Sequence, residues 1–557
     1  MELHVPGLLE ALEQVGPDHP ALVHRGRTRT RSEFGDRSRR LANVLLSAGL
    51  GRRGGTAGVE RWGSAHDHVA LLMHNGPEYL ESMVGAWSAG AVPVNVNYRY
   101  VADELRYLLD DASARAVVVH SRYAPTLGAV LERLSQPPEL ILQVPDGSEN
   151  PLLPGARWYG AALDEASGSL PGSVRAAWSG DDLYLCYTGG TTGRPKGVAW
   201  RQADFLVAAL GVRRRDGAEF ASFEELAAAA PGRLRALPAP PFMHGAAHWN
   251  ALACWAGGGT VVIQDRGDRA DPADLVTVAE RERVSSLLLV GDPMAVPFVD
   301  ELRRTGAELP ALRHVISGGA VLSAATRAEL LELLPGLTIV DVLGSTEAGR
   351  QAVATVDRTR PADTAFSPSI GTVVVDDDRT ALVPSDSDRE GWLARTGRVP
   401  LGYLGDPEGT GRTFPMIDGV RHVVPGDRAH WNADGTVRLL GRDSVCVNTG
   451  GEKVFVEEVE QAVRLHPDVA DVVVCGRPSP RWGEEVVAVV ELRAGRSPDD
   501  AALRDAAAGS IAGYKLPKAF IRVDEVVRSP SGKADYRWAR TVAERAGVSP
   551  SSPRRSG

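Results

Sequence analysis

Residues 187–197 read YTGGTTGRPKG, and they follow directly on the apolar run DLYLCY. Four glycines, three threonines and one lysine lie in these eleven positions. Glycines let backbone N–H groups crowd around an anion, threonine hydroxyls add donors, and a lysine supplies positive charge. The stretch therefore predicts a phosphate-binding loop that follows a buried strand.

The loop differs from the Walker A motif, G-x-x-x-x-G-K-[ST]. Lys196 follows Pro195 rather than glycine, and Gly197 stands where Ser or Thr would bind magnesium. The alternative is a turn whose glycines only satisfy positive φ angles. A turn of that kind would need neither the threonines nor the lysine, so the composition favours a phosphate loop of another type.

The length, net charge and cysteine spacing of the chain exclude several classes of protein. A chain of 557 residues is too long for one core, which predicts at least two domains. The net charge of −9 argues against nucleic acid as a main partner. Four widely spaced cysteines, without a C-x-x-C pair, suit a reducing compartment. The N-terminus lacks a signal-peptide pattern, and no apolar run has the length of a transmembrane segment, so we expect a cytoplasmic protein, at most peripheral to a membrane.

Apolar runs of strand length alternate with segments of helical period over most of the chain. HVALLMHN, VPVNVN and RAVVVH are each followed by such a helical segment, and TVVIQ, SSLLLV, RHVISGG and LTIVDV repeat the rhythm after the glycine loop. This alternation predicts an α/β fold, with a large N-terminal domain of parallel-rich sheets flanked by helices. Residues 213–241 interrupt the rhythm and are expected to form an excursion from the main fold.

The pattern changes after about residue 440. Two strand-like runs, DVADVVVCG and EEVVAVVEL, follow one another closely between helical segments. This pattern predicts a small α+β C-terminal domain that is joined to the large one near 441–444. We expect a large domain over 1–441, a small domain over 442–546, and a disordered tail over 547–557.

The glycine loop resembles the signature of the adenylate-forming superfamily, which contains acyl-CoA synthetases, luciferases and the adenylation domains of peptide synthetases. The usual form is YTSGTTGxPKG, so Gly189 stands in the position of a serine. The resemblance implies that the loop holds the β- and γ-phosphates of ATP. Its contributing residues would be Thr188, Gly189, Gly190, Thr191, Thr192, Gly193 and Lys196.

Two further motifs resemble the same superfamily. LGSTEAG at 343–349 is similar to Y-G-x-T-E, which implies that Thr346 contacts the α-phosphate and that Glu347 holds Mg²⁺. SGGAVLS at 317–323 is similar to S-G-G-A-x-L, which implies that Gly318 and Gly319 allow close approach of adenine and the acyl group.

The C-terminal third carries the remaining resemblance. PGD at 425–427 is similar to the T-G-D stretch, which implies that Asp427 accepts the ribose hydroxyls, with Arg442 near the same sugar; without the resemblance, PGD would be an ordinary turn. PSGKADY at 530–536 resembles the last motif of the superfamily, which implies that Lys533 is the lysine of the adenylation step. The resemblance also implies that the small domain over 442–546 is mobile about a hinge at 442–444.

PPFMHGAAHWN at 240–250 carries His244 and His248 at i and i+4, a spacing that a metal pair could use. The glutamate of H-E-x-x-H is missing, which argues against a zinc site. The superfamily has a histidine motif at its carboxylate-substrate site. That resemblance implies that His244 and Trp249 form pocket wall, and packing in the core is the alternative.

Together the resemblances imply an ATP-dependent enzyme that activates a carboxylic acid through an acyl-adenylate and transfers the acyl group to CoA. The sequence is most similar in character to bacterial fatty-acyl and steroid-acyl CoA ligases, and it implies ATP and Mg²⁺ as cofactors with CoA as co-substrate. Two alternatives stay open. One is a diazotase of a natural-product pathway that activates nitrite to convert an aryl amine to a diazo group. The other is an ATP-binding regulatory or scaffold protein. The motifs specify neither the acid nor the oligomeric state.

Overall fold

The computed structural model describes residues 2–54, 59–188, 194–360, 365–387, 389–442, 445–449, 452–479, 482–508, 510–511, 513–528 and 532–547. The chain divides into two compact units. One comprises Met1–Gly190, Arg194–Val373 and Ala394–Pro425, and the other comprises Thr191–Gly193, Val374–Leu393 and Gly426–Gly557.

The first unit contains a nine-stranded sheet whose central strands are parallel. Its strands, in spatial order, are Ser367–Pro368, Gly349–Val356, Thr338–Ser345, His314–Gly318, Ser286–Leu289, Arg235–Pro238, Thr260–Ile263, Pro20–His24 and Arg27–Thr30. Several of the central strands are fully buried apolar runs, as expected for parallel strands that are covered on both faces.

A second sheet of this unit is parallel throughout. Its strands, in spatial order, are Val92–Asn95, His68–Leu72, Ala114–His120, Leu140–Val144 and Arg157–Trp158. A third sheet is antiparallel and consists of Gly402–Tyr403, Lys196–Arg201 and Leu183–Thr188. The hairpin of Met416–Ile417 and Val420–Val423 pairs with Arg395 and Thr396.

Helices accompany these sheets, and their ends follow the capping residues. Thr30 and Glu33 form a capping box at the start of Arg31–Ser47, and Gly306, with φ of 62°, ends Gly291–Thr305 in a left-handed conformation. The α-helices of this unit are Val5–Val15, Arg31–Ser47, Pro77–Ser88, Ala102–Asp111, Ala124–Leu131, Tyr159–Asp164, Gly172–Ala176, Gln202–Asp204, Phe223–Ala229, Gly245–Ala256, Pro272–Arg281, Gly291–Thr305, Ala324–Leu333 and Pro407–Thr413. Ser121–Tyr123 is a 3₁₀ turn, and Phe205–Ala209 is a π-helix.

The second unit has its own core and mixed topology. The strand Glu390–Thr396 begins in this unit, where Glu390 to Trp392 pair with Asp427–Trp431, which pairs with Val437–Arg442. The strand Thr372–Val375 also reaches this unit at Val374. A five-stranded sheet contains Glu452–Val454, Val447–Thr449, Gly483–Leu492, Val469–Ser479 and Ala519–Val523. The helices are Val456–Arg464, Asp500–Ala508 and Tyr536–Gly547.

The expected α/β class is confirmed, including the parallel-rich sheets and the small α+β part. One expectation is wrong. Residues 213–241 are not an excursion, because Arg235–Pro238 is a strand in the interior of the nine-stranded sheet, between Thr260–Ile263 and Ser286–Leu289. The sequence pattern missed this strand because it contains only two apolar residues, Ala236 and Leu237, and ends in a proline, which is unusual in a central strand. The domain boundary at 441/442 stays a prediction.

Candidate functional site

The glycine loop joins two antiparallel strands. Leu183–Thr188 pairs with Lys196–Arg201, and Thr188 lies opposite Lys196 in the register. Residues 189–193, which include Gly189, Gly190, Thr191, Thr192 and Gly193, lie outside the described residues. A Walker A loop leads into a helix, whereas here Lys196 begins a strand. The residues on either side of the loop therefore agree with a phosphate loop of another type.

Lys196 is held on one side by an acid and on another by an aromatic ring. Its Nζ donates to Oδ2 of Asp406 over 2.7 Å and lies 4.8 Å from the ring centroid of Tyr403. Partial burial acts to raise the pKa of Asp406, but the hydrogen bonds from Lys196 and the Gly409 N–H, together with the charges of Lys196 and Arg412, outweigh it and the pKa is lowered. The side chains of Lys196 and Asp406 are 42% and 32% exposed, so the lysine remains within reach of solvent and of an anionic ligand.

Thr346 and Glu347 lie at the tip of a hairpin. Thr338–Ser345 turns back into Gly349–Val356 with Ser345 opposite Gly349, and the hydroxyl of Ser345 accepts a hydrogen bond from the Ala348 N–H at 3.1 Å. Gly349 has φ of 65°, a left-handed conformation that favours glycine. The turn therefore projects Glu347 from the end of a strand that is parallel to its neighbour in the large sheet.

Tyr403 connects Glu347 to Lys196. Its hydroxyl donates to Oε1 of Glu347 over 3.1 Å, while its ring faces Lys196. Burial and the nearby charge of Glu347 raise the pKa of Tyr403, so the phenol keeps its proton and remains a donor. One tyrosine thus brings together the cation that follows the glycine loop and the carboxylate of the hairpin.

The segment that carries Tyr403 and Asp406 is fixed by local hydrogen bonds. Thr410 accepts the Tyr403 N–H through its hydroxyl at 2.9 Å, and Asp406 caps the helix Pro407–Thr413 by accepting from the Gly409 N–H at 2.7 Å. Gly402 has φ of 153°, and a Cβ at this position would lie 2.6 Å from Thr410. The segment GYLGDPEGT at 402–410 therefore fixes the positions of Tyr403 and Asp406, which the sequence analysis did not identify as site residues.

Gly318 and Gly319 lie at the carboxyl end of the strand His314–Gly318, beside the strand that leads to Thr346. Gly318 pairs with Val342, and a Cβ on Gly318 would lie 2.8 Å from the Val342 carbonyl oxygen. Gly319 has φ of 85°. Both glycines are thus required by the backbone, and they border the carboxyl ends of parallel strands, where ligands of α/β proteins bind.

His244 and Trp249 lie at the start of the helix Gly245–Ala256, and both are half-buried. The indole N–H of Trp249 donates to the hydroxyl of Tyr184, which belongs to the strand before the glycine loop. Phe205 packs edge-on against Trp249 at 5.4 Å and stacks on Tyr184 at 3.8 Å. The three aromatic side chains form one cluster, in which Tyr184 and Phe205 are fully buried and Trp249 is half-buried.

His248 is a core residue and not a metal ligand. Its Nδ1 donates to the Phe242 carbonyl oxygen at 2.7 Å, and its Nε2 accepts from the Tyr184 hydroxyl. Burial lowers the pKa of His248 to about 4, against the opposing effect of the bond to Phe242. The neutral ring thus continues a chain of donors that runs from Trp249 through Tyr184 and His248 to the Phe242 carbonyl oxygen.

The predicted ribose-binding residues lie in the second unit. Asp427 is buried at the start of the strand Asp427–Trp431, and its backbone is in register with that of Arg442. Paired positions on neighbouring strands lie about 5 Å apart, so the two residues adjoin.

Lys533 is an exposed residue of the second unit. Arg528 donates to the Gly532 carbonyl oxygen at 3.2 Å, and its guanidinium makes a paired contact with Asp471 at 2.5 and 2.6 Å. Asp471 also binds Arg464 at 3.0 Å. The base of the lysine turn is therefore fixed by an ion-pair network, while the lysine itself reaches solvent.

Two general observations bear on cofactors and membranes. Among the described residues, no group of three or more His, Cys, Asp or Glu side chains could hold a metal ion. Within the same residues, none of the helices has both the length and the apolar composition needed to cross a bilayer.

Comparison with known proteins agrees with the arrangement of these motifs. Residues 9–395 match the model of the AMP-binding enzyme family, and residues 458–533 match the model of the AMP-binding enzyme C-terminal domain. The chain is 44% identical to the medium-chain acyl-CoA ligase Mig of Mycobacterium avium, over 97% of this chain and 98% of that protein.

A second relative is the medium/long-chain-fatty-acid–CoA/3-oxocholest-4-en-26-oate–CoA ligase of Mycolicibacterium smegmatis. It is 38% identical, over 98% of this chain and 97% of its own. The crystal structure of the anthranilate CoA ligase AuaEII in complex with anthranoyl-AMP has the same fold, with a TM-score of 0.81, 22% identity and 98% of each chain covered. The chain therefore belongs to the AMP-binding enzyme family, and it is an adenylate-forming ligase of the acyl-CoA synthetase type.

Proposed function

We propose that this ligase activates an apolar carboxylic acid with ATP and Mg²⁺ and transfers the acyl group to CoA. The observation that carries the proposal is the meeting of Lys196 and Glu347 at Tyr403. A cation beside the glycine loop and a carboxylate at a hairpin tip are the two charges that a magnesium–triphosphate requires.

The residues have the following proposed roles in the first step. A carboxylate oxygen of the acid attacks the α-phosphorus of ATP, and pyrophosphate leaves. Lys196 and the glycine loop stabilise the β- and γ-phosphates, and Thr346 contacts the α-phosphate. Glu347 would hold Mg²⁺, which neutralises phosphate charge when bound. A carboxylate held by one hydrogen bond on Oε1 suits a hard cation.

The second unit supplies the other proposed contributions. Asp427 and Arg442 bind the ribose, and Lys533 adds positive charge during adenylation. In the second step the CoA thiolate attacks the acyl carbonyl carbon, and AMP leaves. Lys533 is not needed for that attack, so we propose that the small domain over 442–546 serves both steps by moving about 442–444.

Aromatic side chains support an apolar acid as substrate. Half-buried Trp249 packs on the fully buried Phe205 and Tyr184, and Tyr184 belongs to the strand that precedes the glycine loop. The names of the two relatives, which specify medium-chain, long-chain and steroid acids, agree with an apolar site beside Trp249. We propose that His244 and Trp249 line the acyl pocket.

The test is a panel of acids, in which pyrophosphate release and thioester formation are measured separately. We expect pyrophosphate from ATP, Mg²⁺ and acid, and a thioester only when CoA is added. A parallel mixture contains nitrite and an aryl amine instead of acid and CoA. The proposal is wrong if no acid yields a thioester while AMP appears with nitrite and amine, because the protein would then be a diazotase.

A further inference from the structure

Arg350 is a half-buried cation without a partner. It follows the hairpin LGSTEAG, three residues after Glu347. Within the described residues, its guanidinium makes no hydrogen bond and no ion pair, and its Nε is buried without a partner. Burial lowers the pKa of Arg350, and no neighbouring acid opposes this effect. Buried arginines are ordinarily paired, so an unpaired guanidinium needs an explanation.

Arg395 lies beside Arg350 and, unlike it, has hydrogen-bond partners for its guanidinium among the described residues. Its guanidinium donates to the carbonyl oxygens of Ala208, Ala348, Arg350 and Ile370 at 3.0, 3.2, 2.9 and 3.1 Å. Burial and the charges of Arg350 and Arg213 lower the pKa of Arg395 to about 10. Arg395 is thus a structural residue, while Arg350 adds a second positive charge that the backbone does not neutralise.

The position of Arg350 is fixed by its neighbours. Gly349 packs against the π-helix Phe205–Ala209, where a Cβ on Gly349 would lie 2.8 Å from Ala209 Cα. Gly211 has φ of 72°, and a Cβ there would lie 2.3 Å from Nη2 of Arg350. The guanidinium therefore lies against the backbone of Gly211, where glycine leaves space for it.

The same π-helix connects Arg350 to the proposed acyl pocket. At one end of this helix Phe205 packs on Trp249 and Tyr184, and just beyond the other end Gly211 contacts Arg350. The Cα atoms of Arg350 and Glu347 also lie at most about 10 Å apart, since only two residues stand between them in the chain. A cation at this place can reach a ligand whose reacting group is at the hairpin tip.

We infer that Arg350 binds a second carboxylate of the acyl substrate, at the end remote from the reacting carboxylate. The substrate class is then an acid whose apolar chain or ring carries a second carboxylate: a dicarboxylic acid, or a ring acid with a second carboxylate. This inference rests on the proposed function and specifies its substrate. A guanidinium held without an acid is prepared for a carboxylate, because the fork of N–H donors matches its two oxygens.

The phosphates of ATP already have proposed partners among other residues, which leaves a remote carboxylate as the anion for Arg350. Lys196 and the glycine loop are proposed for the terminal phosphates, and Thr346 for the α-phosphate at the hairpin tip. Arg350 lies behind that tip, opposite Gly344 in the register. A group bound there belongs to a different part of the substrate from the one that reacts.

The experiment compares acids of equal length with one or two carboxylates: hexanoic with adipic, octanoic with suberic, and decanoic with sebacic acid. Pyrophosphate release gives kcat/KM for each. We expect the wild-type protein to prefer the diacid for at least one pair, and Arg350→Leu to lower kcat/KM for that diacid at least about 30-fold. For the matched monoacid the variant should stay within about threefold of wild type or exceed it. Arg214→Leu, on an exposed loop, is the control of equal charge change.

Two kinetic outcomes overturn the inference. One is a wild-type preference for the monoacid at every length, and the other is an equal loss for both acids of a pair in Arg350→Leu. The latter would indicate contact with the reacting carboxylate. If none of the six acids causes the wild-type protein to release pyrophosphate, the proposed function fails. Thermal shifts of both proteins with adipic, suberic and sebacic acid then still test the inference, which requires a shift in wild type that Arg350→Leu lacks.

Stability of the ligand-free variant is a second readout. A structural arginine would destabilise the fold when removed, whereas an unpaired buried charge costs free energy in the folded state. We therefore expect the melting temperature of Arg350→Leu without ligand to equal or exceed that of wild type. A clear decrease would overturn the inference by assigning Arg350 a structural role.

Discussion

The hydroxyl of Tyr403 donates a hydrogen bond to Oε1 of Glu347 over 3.1 Å, and the ring of the same tyrosine lies 4.8 Å from Nζ of Lys196. Glu347 follows a strand of the nine-stranded sheet, whereas Lys196 and Tyr403 belong to the antiparallel sheet. The tyrosine thus orients a carboxylate from one sheet and contacts a cation from another.

Tyr403→Phe should raise the magnesium concentration needed for half-maximal activity by roughly 10-fold, because partners that orient a metal ligand contribute a factor of this size. The ring is retained, so the contact with Lys196 remains and the KM for ATP should change little. Titration of pyrophosphate release with Mg²⁺ measures the effect. Tyr514→Phe, at an exposed tyrosine of the second unit, is the control. An unchanged magnesium requirement would show that the bond to Glu347 has no functional role.

Asp406→Asn should lower the KM for ATP modestly, by no more than about fivefold. The ion pair with Lys196 is partly exposed, and such pairs contribute about 0–1 kcal/mol. Asparagine retains an oxygen that can cap Gly409, so the helix Pro407–Thr413 should persist. Lys196→Met should instead raise the KM for ATP. Steady-state kinetics with varied ATP separate the two effects, and a higher KM in Asp406→Asn would indicate that the acid helps nucleotide binding.

Lys533→Ala should abolish pyrophosphate release and leave the fold intact, because the side chain is exposed and the turn is fixed by Arg528 and Asp471. Thioester formation from a preformed acyl-adenylate and CoA should survive. Lys518→Ala removes another exposed lysine of the same unit and should be neutral. Wild-type rates of pyrophosphate release in Lys533→Ala would contradict the assignment of this lysine to adenylation.

Acid should destabilise the protein partly through His248. Burial lowers its pKa from 6.5 to about 4, so between these values the unfolded chain binds a proton that the folded chain does not. The stabilising contribution is fully present above pH 6.5 and is lost as the pH falls toward 4. His248→Gln should make the fall in melting temperature over this range shallower, since one proton corresponds to about 1.4 kcal/mol per pH unit.

The decline should persist in His248→Gln, because His4, His24, His68 and His74 also have pKa values lowered to about 4, chiefly by burial. Melting temperatures of both proteins across pH 4 to 7 measure the difference. Identical slopes would mean that His248 is protonated in the folded state or neutral in both states over this range.

The sequence alone determined the fold class and the family. Runs such as RAVVVH and RHVISGG became Ala114–His120 and His314–Gly318, and the two C-terminal runs became Val469–Ser479 and Gly483–Leu492. These elements could be predicted because their apolar period is local and long enough to be distinct. The motifs that carry the resemblance are also contiguous in sequence, so no tertiary information was needed to find them.

Only the tertiary structure decided which of these residues meet. The order of strands in the sheets aligned Gly318 with Val342, made Arg235–Pro238 an interior strand, and brought Tyr403 to Glu347. It also showed that His248 binds Tyr184 within the core and that Arg350 is buried without an acid. Such contacts join residues far apart in the chain, and their partners depend on sheet order and side-chain packing. A local pattern of residue types contains neither.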